Sequence, residues 1–241
     1  MPELAYESQR ARLYVGDCRD VVAEGALGAV DLMVTDPPYG VGFRSNFGRN
    51  HAALVGDDDP AAVIATLGRC ANALRNYRHV YVFGYTPEEL VGPMQLGGTC
   101  QLLWDKGILG MGDLAATWAQ QTEPITFGVR VQGSASRALR SGNLSARLRR
   151  GNVLRVPRKN SVANRRHPTE KPVALLRQLI ESSSMIGETV FDPFAGVGST
   201  LVAALVSGRC AVGVEIDPKF IPVAVERIVA AERIADMVEA A

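Results

Sequence analysis

Thr189-Val-Phe-Asp-Pro-Phe-Ala-Gly-Val-Gly-Ser-Thr200 reads as a β-strand, a Gly-x-Gly turn and the start of a helix. Gly196 and Gly198 let the backbone turn sharply and come close to a ligand, and the helix start beyond them offers free N–H groups. The stretch is not a full dinucleotide fingerprint, because the third position after Gly198 is Leu201. Taken alone, a plain tight turn between strand and helix reads equally well. The next strand candidate, Ala211–Val214, runs into Glu215, nineteen residues after Gly196. An acidic side chain at the end of that second strand can accept both hydroxyls of a ribose. Turn and carboxylate together imply a nucleoside-type cofactor at the carboxyl edge of a sheet.

Outward from this stretch, short β-branched runs alternate with helical patterns, the signature of an α/β fold around a parallel sheet. The strand candidates are Arg12–Val15, Val30–Thr35, His79–Phe83, Gln101–Trp104, Ile125–Val129, Thr189–Phe191 and Ala211–Val214. The helix candidates are Arg19–Gly25, Pro60–Asn76, Pro87–Leu96, Pro172–Met185, Ser199–Ser207 and Pro218–Met237. Four of them open on proline, whose fixed φ and missing N–H suit a first helical turn. Between Val131 and Asn164 the apolar residues follow no period. This reads as an irregular insert or small subdomain, with Leu139, Leu144, Leu148, Val153 and Leu154 supplying a modest core.

The net charge of +1 over 241 residues conceals a segregation. From Pro124 to Thr169 there are eleven Lys or Arg and no Asp or Glu, which leaves 15 basic against 25 acidic residues elsewhere. A solvated charge run is the competing reading, but 46 residues without one carboxylate suit a polyanionic partner. The first ten residues lack the layout of a secretory signal, and the longest uncharged run, Pro193–Gly208, falls short of the roughly 18 apolar residues of a membrane span. A cytoplasmic protein without a membrane partner is expected. Cys18, Cys70, Cys100 and Cys210 form no CxxC pair, so buried reduced thiols are expected and a metal site is not.

A second constellation, Val34-Thr-Asp-Pro-Pro-Tyr-Gly40, closes the apolar run Asp31–Thr35. Two prolines in succession donate no backbone hydrogen bonds and hold a rigid extended turn, which leaves the Pro37 carbonyl free to point away. Asp36 sets a carboxylate beside that carbonyl, and Tyr39 adds an aromatic face. A planar ring bearing an exocyclic NH₂ fits this set: two acceptors take the two amine hydrogens while Tyr39 stacks on the ring.

Asp36-Pro-Pro-Tyr39 and Asp192-Pro-Phe-Ala-Gly-Val-Gly198 resemble the catalytic and cofactor motifs of S-adenosylmethionine-dependent amino-DNA methyltransferases. His167-Pro-Thr-Glu-Lys-Pro172 is similar to the segment preceding the cofactor motif in that family, and Val15-Gly-Asp17 and Trp104-Asp-Lys106 match its pattern too. The order of catalytic motif, basic insert and cofactor motif resembles the permuted beta group. The resemblance implies a Rossmann-like methyltransferase fold, with a mostly parallel seven-stranded sheet, helices on both faces and a short basic insert. It divides the chain into a catalytic half (1–130), a target-recognition insert (131–166) and a cofactor-binding half (167–241).

Position by position, the resemblance places Phe191, Asp192, Phe194, Gly196 and Gly198 around the methionine part of the cofactor. It places Glu215 on the ribose, Asp17 at the adenine, and Thr169 and Lys171 over the methionyl end. Asp36, Pro37, Pro38 and Tyr39 are the expected catalytic residues, and Arg44, Arg147, Arg149, Arg150, Arg158 and Lys159 the expected DNA contacts. Asp17 and Lys171 each also read as a plain cap or a surface charge, and Phe191 and Phe194 as core packing, with or without a cofactor contact. The implied activity is methylation of the N6 amine of adenine in double-stranded DNA after the base is flipped out of the stack. The N4 amine of cytosine presents the same two hydrogens and is the alternative; Asp at position 36 leans towards adenine within the family. A catalytically silent DNA-binding protein of the same fold is a third reading. Methylation at cytosine carbon-5 is not expected, since no cysteine follows a proline. Whether the chain forms a homodimer is left open.

Overall fold

Val30–Thr35 is buried along its whole length, which a strand can be only if both faces of its sheet are covered. The computed structural model describes residues 2–39, 59–107, 118–131, 150–158 and 170–239. In chain order the elements are β1 (Glu3–Glu7), β2 (Ala11–Val15), α1 (Cys18–Ala23), β3 (Val30–Thr35), α2 (Pro60–Cys70), β4 (Leu74–Phe83), α3 (Pro87–Leu90), β5 (Leu96–Asp105), β6 (Thr122–Arg130), β7 (Val153–Arg155), α4 (Val173–Ser183), β8 (Thr189–Asp192), α5 (Ser199–Leu205), β9 (Cys210–Glu215) and α6 (Ile221–Glu239). Asp59 caps α2 by accepting the Ala62 N–H at 3.0 Å, directly before the proline that opens the helix.

The strands form one sheet in the order β1-β2-β9-β8-β3-β4-β6-β5-β7. The seven from β2 to β5 in that order are the seven expected; β1 and β7 are additional edge strands, so the sheet has nine strands among the described residues. β6 runs antiparallel to both its neighbours and β1 antiparallel to β2, while the other five pairings are parallel. α1, α2 and α3 pack with Val30, Met33 and Val80 on one face, and α4, α5 and α6 with Leu32, Val34 and Val190 on the other.

Two expectations about the basic segment Pro124–Thr169 change. Leu154, on β7, is buried in the main core rather than in one of the insert's own, while Val153 is 39% exposed. Arg130 is buried and donates to the carbonyls of Ala71 and Met94 and to Gln95 and Asn72, so it braces the fold. Leu139, Leu144 and Leu148 lie outside the described residues. Cys18 and Cys70 are buried thiols as expected, but Cys100 is exposed. Among the described residues no helix is long and apolar enough to cross a membrane.

This topology gathers the motifs. β2, β9, β8, β3, β4 and β5 are mutually parallel or related through the antiparallel β6, so their carboxyl ends and the amino end of β6 lie along one edge. In open α/β sheets that edge is where ligands bind.

Candidate active site

Asp36 follows directly on β3, and the turn it opens is fixed from β4. The Tyr85 hydroxyl donates to the Pro38 carbonyl at 2.6 Å. Gly84, at φ +80°, makes room for Tyr39: a Cβ there would lie 2.2 Å from Tyr39 Cε1. Tyr39 packs edge-on to Tyr85, with ring centroids 6.3 Å apart. The Asp-Pro-Pro-Tyr turn is legible in the sequence, but Gly84 and Tyr85 are not, since they sit a strand away and carry no motif of their own.

Around that turn lies a cluster of charges. Lys171, just before α4, donates to Asp36 Oδ2 at 2.7 Å, to Glu123 Oε1 at 2.9 Å and to the Tyr39 hydroxyl oxygen at 3.1 Å. The Tyr39 hydroxyl lies 2.5 Å from Asp36 Oδ1 and 2.9 Å from Glu123 Oε1. Lys106 pairs with Glu123 Oε2 at 3.0 Å. Lys171 was expected over the cofactor's methionyl end; here its ammonium rests between two carboxylates at the catalytic turn. Burial, aided by the nearby Glu123 charge, pushes the Asp36 carboxyl above its ordinary range against the pull of Lys171. Burial acts the same way on Glu123, but Lys171 and Lys106 outweigh it and hold that carboxyl low. Burial would depress Lys171, yet its two carboxylates keep it raised. Glu123 was missed from sequence; its one signal is being the last acid before the 46 residues that have none.

The cofactor motif lies next door. The Thr35 hydroxyl donates to Asp192 Oδ1 at 2.8 Å, joining the residue before Asp36 to the last residue of β8. The same oxygen accepts the Phe194 N–H at 3.1 Å and so shapes the turn. Glu215 ends β9; it accepts the N–H of Gly196 at 2.6 Å on Oε2 and of Asp217 at 2.8 Å on Oε1. A carboxylate offers about four acceptor positions, and the Gly196, Asp217 and Ile216 amides draw on it, so capacity remains for a ribose hydroxyl. A Cβ on Gly196 would meet no atom within 4 Å, so the turn faces open space there. These residues fit a nucleoside cofactor. Asp17 lies two residues beyond Val15, which pairs with Glu215; it caps α1 through the Arg19 N–H at 2.8 Å and is ion-paired with the Arg19 side chain. Phe191 is fully buried in the core beneath α1 to α3, and Phe194 packs on its margin.

Arg227 on α6, also missed, donates to the Val197 carbonyl and to Glu170, both at 2.7 Å, and so ties the turn to the residue before Lys171. Of the expected DNA contacts, Arg150 donates to Ser182 at 3.0 Å on α4, and the backbone of Arg158 donates to the Lys106 carbonyl at 3.2 Å. Arg44, Arg147, Arg149 and Lys159, with Thr169 of the cofactor set, lie outside the described residues. Among the described residues no group of His, Cys, Asp and Glu is arranged to hold a metal.

Residues 93–226 match the model of the N6/N4 methyltransferase family, described as DNA methylase. The chain is 32% identical over 225 residues to "Putative methylase YubD" of Escherichia coli (strain K12), with 92% of each chain covered. Among solved structures it is similar to an M1.HpyAVI–SAM complex, with a TM-score of 0.68 and 17% identity over 90% of this chain and 98% of that one. It is also similar to the cytosine-N4-specific PvuII DNA methyltransferase, with a TM-score of 0.65 and 14% identity over 97% and 93%.

Proposed function

The chain belongs to the N6/N4 family of DNA methylases, and from that premise we propose that it methylates the N6 amine of adenine in duplex DNA, with S-adenosylmethionine as methyl donor. The observation that carries the reading is the Thr35–Asp192 hydrogen bond, which sets the Asp-Pro-Pro-Tyr turn directly beside the Gly-x-Gly turn at one sheet edge. S-adenosylmethionine, when bound, supplies an electrophilic methyl group whose carbon–sulfur bond breaks as the carbon–nitrogen bond forms, the electron pair returning to sulfur. Glu215 is proposed to hold its ribose, the turn at Gly196 and Gly198, open at Gly196, its methionyl part, and Asp17 the adenine end.

An exocyclic amine is a poor nucleophile because its lone pair is delocalised into the ring. Asp36 and the Pro37 carbonyl each accept one amine hydrogen, which favours a pyramidal nitrogen with an available lone pair. The Asp36 charge then stabilises the positive charge that develops on that nitrogen. The methylated nitrogen afterwards loses its extra proton to Asp36, a carboxyl already pushed upward by burial, and from there to water. Tyr39 covers the face of the flipped base.

Adenine is favoured by the Asp at position 36. Cytosine N4 is the second reading, favoured by the likeness to the PvuII enzyme. Mass spectrometry of the nucleosides after methylation of mixed-sequence duplex DNA separates them: N6-methyl-2′-deoxyadenosine is expected, and N4-methyl-2′-deoxycytidine would reverse the assignment. Asp36→Ala is expected to lower the methylation rate by on the order of 10² or more, with cofactor affinity by calorimetry unchanged. Near-normal turnover in that variant would remove Asp36 from the reaction.

A further inference from the structure

Glu123 takes no direct part in methyl transfer, yet it touches both groups that hold Asp36. Lys171 spends its three N–H donors on Asp36, Glu123 and Tyr39. Tyr39 has one hydroxyl proton and two carboxylates in reach, Asp36 Oδ1 at 2.5 Å and Glu123 Oε1 at 2.9 Å, so it can serve only one at a time. Each donor on Asp36 therefore faces a second carboxylate able to receive it. An ammonium in contact with Asp36 draws off the charge that the target amine needs. Resting on the reading above, we propose that Glu123 is a positioning residue for methyl transfer: it takes over the Lys171 ammonium and the Tyr39 hydroxyl as the target amine engages Asp36.

Charge arithmetic supports the exchange. Asp36 and Glu123 face Lys106 and Lys171, so two carboxylates are matched by two ammoniums wherever Lys171 rests. Lys106 stays on Glu123 Oε2 and leaves Oε1 for the incoming donors. The net charge of the cluster therefore does not change during the exchange. Once Lys171 has moved, the Asp36 carboxylate is met by the target amine alone, which is the state in which it stabilises positive charge on that nitrogen. Tyr39 becomes free to turn its ring to the base only when its hydroxyl can let go of Asp36.

The test is Glu123→Gln, which keeps the shape and removes the charge. With the second carboxylate gone, Lys171 settles on Asp36. kcat is expected to fall about ten- to a hundredfold, with the cofactor KM within about threefold of wild type. The groups facing Asp36 are Tyr39 in its own turn, Glu123 on β6, Lys171 before α4 and Asp192 on β8, with Lys106 after β5 held on the other oxygen of Glu123. Losing the Glu123 charge lowers Asp36, so the acid limb of the pH–kcat profile moves to lower pH. The titration midpoint of the Asp36 carboxyl, followed by NMR without DNA or cofactor, falls with it. Glu123→Asp keeps the charge and shortens the reach; it is expected to lose only about three- to tenfold, with the Asp36 midpoint held. This variant decides the matter should the glutamine form fail to fold.

The proposal fails if Glu123→Gln turns over within about twofold of wild type. It fails equally if kcat drops while the acid limb and the Asp36 midpoint stay put, or if the cofactor KM rises with kcat intact, which would assign Lys171 to the cofactor. A wild-type chain that methylates no amine in DNA removes the functional reading and this proposal together. An active wild type with an indifferent Glu123→Gln removes this proposal alone.

Discussion

Asp192 is 3% exposed, and its carboxylate accepts from Thr35 and from the Phe194 amide. Burial pushes its pKa up to about 6, with Thr200, Thr35 and Phe194 pulling the other way. A group raised on folding contributes most below its unfolded value near 3.8, and that contribution is lost as the pH climbs through 6. The charged carboxylate should therefore cost the fold roughly 3 kcal/mol above pH 6 relative to acid. In Asp192→Asn, where Oδ1 still accepts both bonds, this dependence should vanish. Denaturant unfolding of both proteins between pH 4 and pH 8 is expected to show the variant gaining on wild type as the pH rises through about 6. A constant difference would mean that Asp192 is not raised. The residue letters revealed the motif, but not that its aspartate shapes the turn through its neighbour on β3. That hydrogen bond joins positions 35 and 192, and only the sheet order brings them together.

At the scale of elements, β1 and β7 escaped the sequence reading because edge strands are short and half-exposed, and β7 has three residues inside a stretch without apolar period. The expected helix Pro60–Asn76 ends at Cys70; a 3-10 turn over Ala71–Ala73 hands directly to β4. Cys70, Ala73, Leu74 and Tyr77 keep helical spacing through the junction, so periodicity alone could not find the break. The expected Pro87–Leu96 shrinks to Pro87–Leu90, and Gly92-Pro93 follows two residues on. The tie from α6 makes an element-scale prediction. Arg227 and Glu170 are 13% and 4% exposed at the side chain, and Arg227→Met would withdraw the guanidinium from that buried carboxylate. A loss of about 3 kcal/mol and a Tm lower by roughly 6–12 °C are expected, with weaker cofactor binding because the Val197 carbonyl loses its anchor. Adding Glu170→Met should restore much of the Tm but not the cofactor affinity. If the single variant melts with wild type, the tie contributes nothing.

Across the whole molecule, the sheet order separates two charges of opposite kind. The cofactor strands β9 and β8 lie towards one end, the catalytic turn follows β3 near the middle, and β7 of the basic insert closes the far edge. A duplex drawn to the insert would therefore approach the catalytic turn from the side away from Glu215. The segregation of eleven basic residues from an acidic body was legible in the sequence, but not which of them are available. Arg130 is spent inside the fold, Arg150 reaches Ser182 on α4, and Arg155 lies 3.9 Å from Asp105. Arg147 and Arg149, outside the described residues, carry the prediction. Their replacement by Ala should lower affinity for all duplex sequences and make the log–log salt dependence shallower by about 0.9 for each phosphate no longer neutralised. Cofactor affinity should hold, because Glu215 and the Gly196 turn belong to the other end of the sheet. Arg130→Met is the contrasting variant: it should lower the unfolding midpoint through four unmet partners and leave the salt slope of the folded fraction unchanged. Equal slopes in wild type and the Arg147→Ala/Arg149→Ala protein would assign the electrostatic attraction to other residues, since an arginine removed from a phosphate must return a counterion to the DNA.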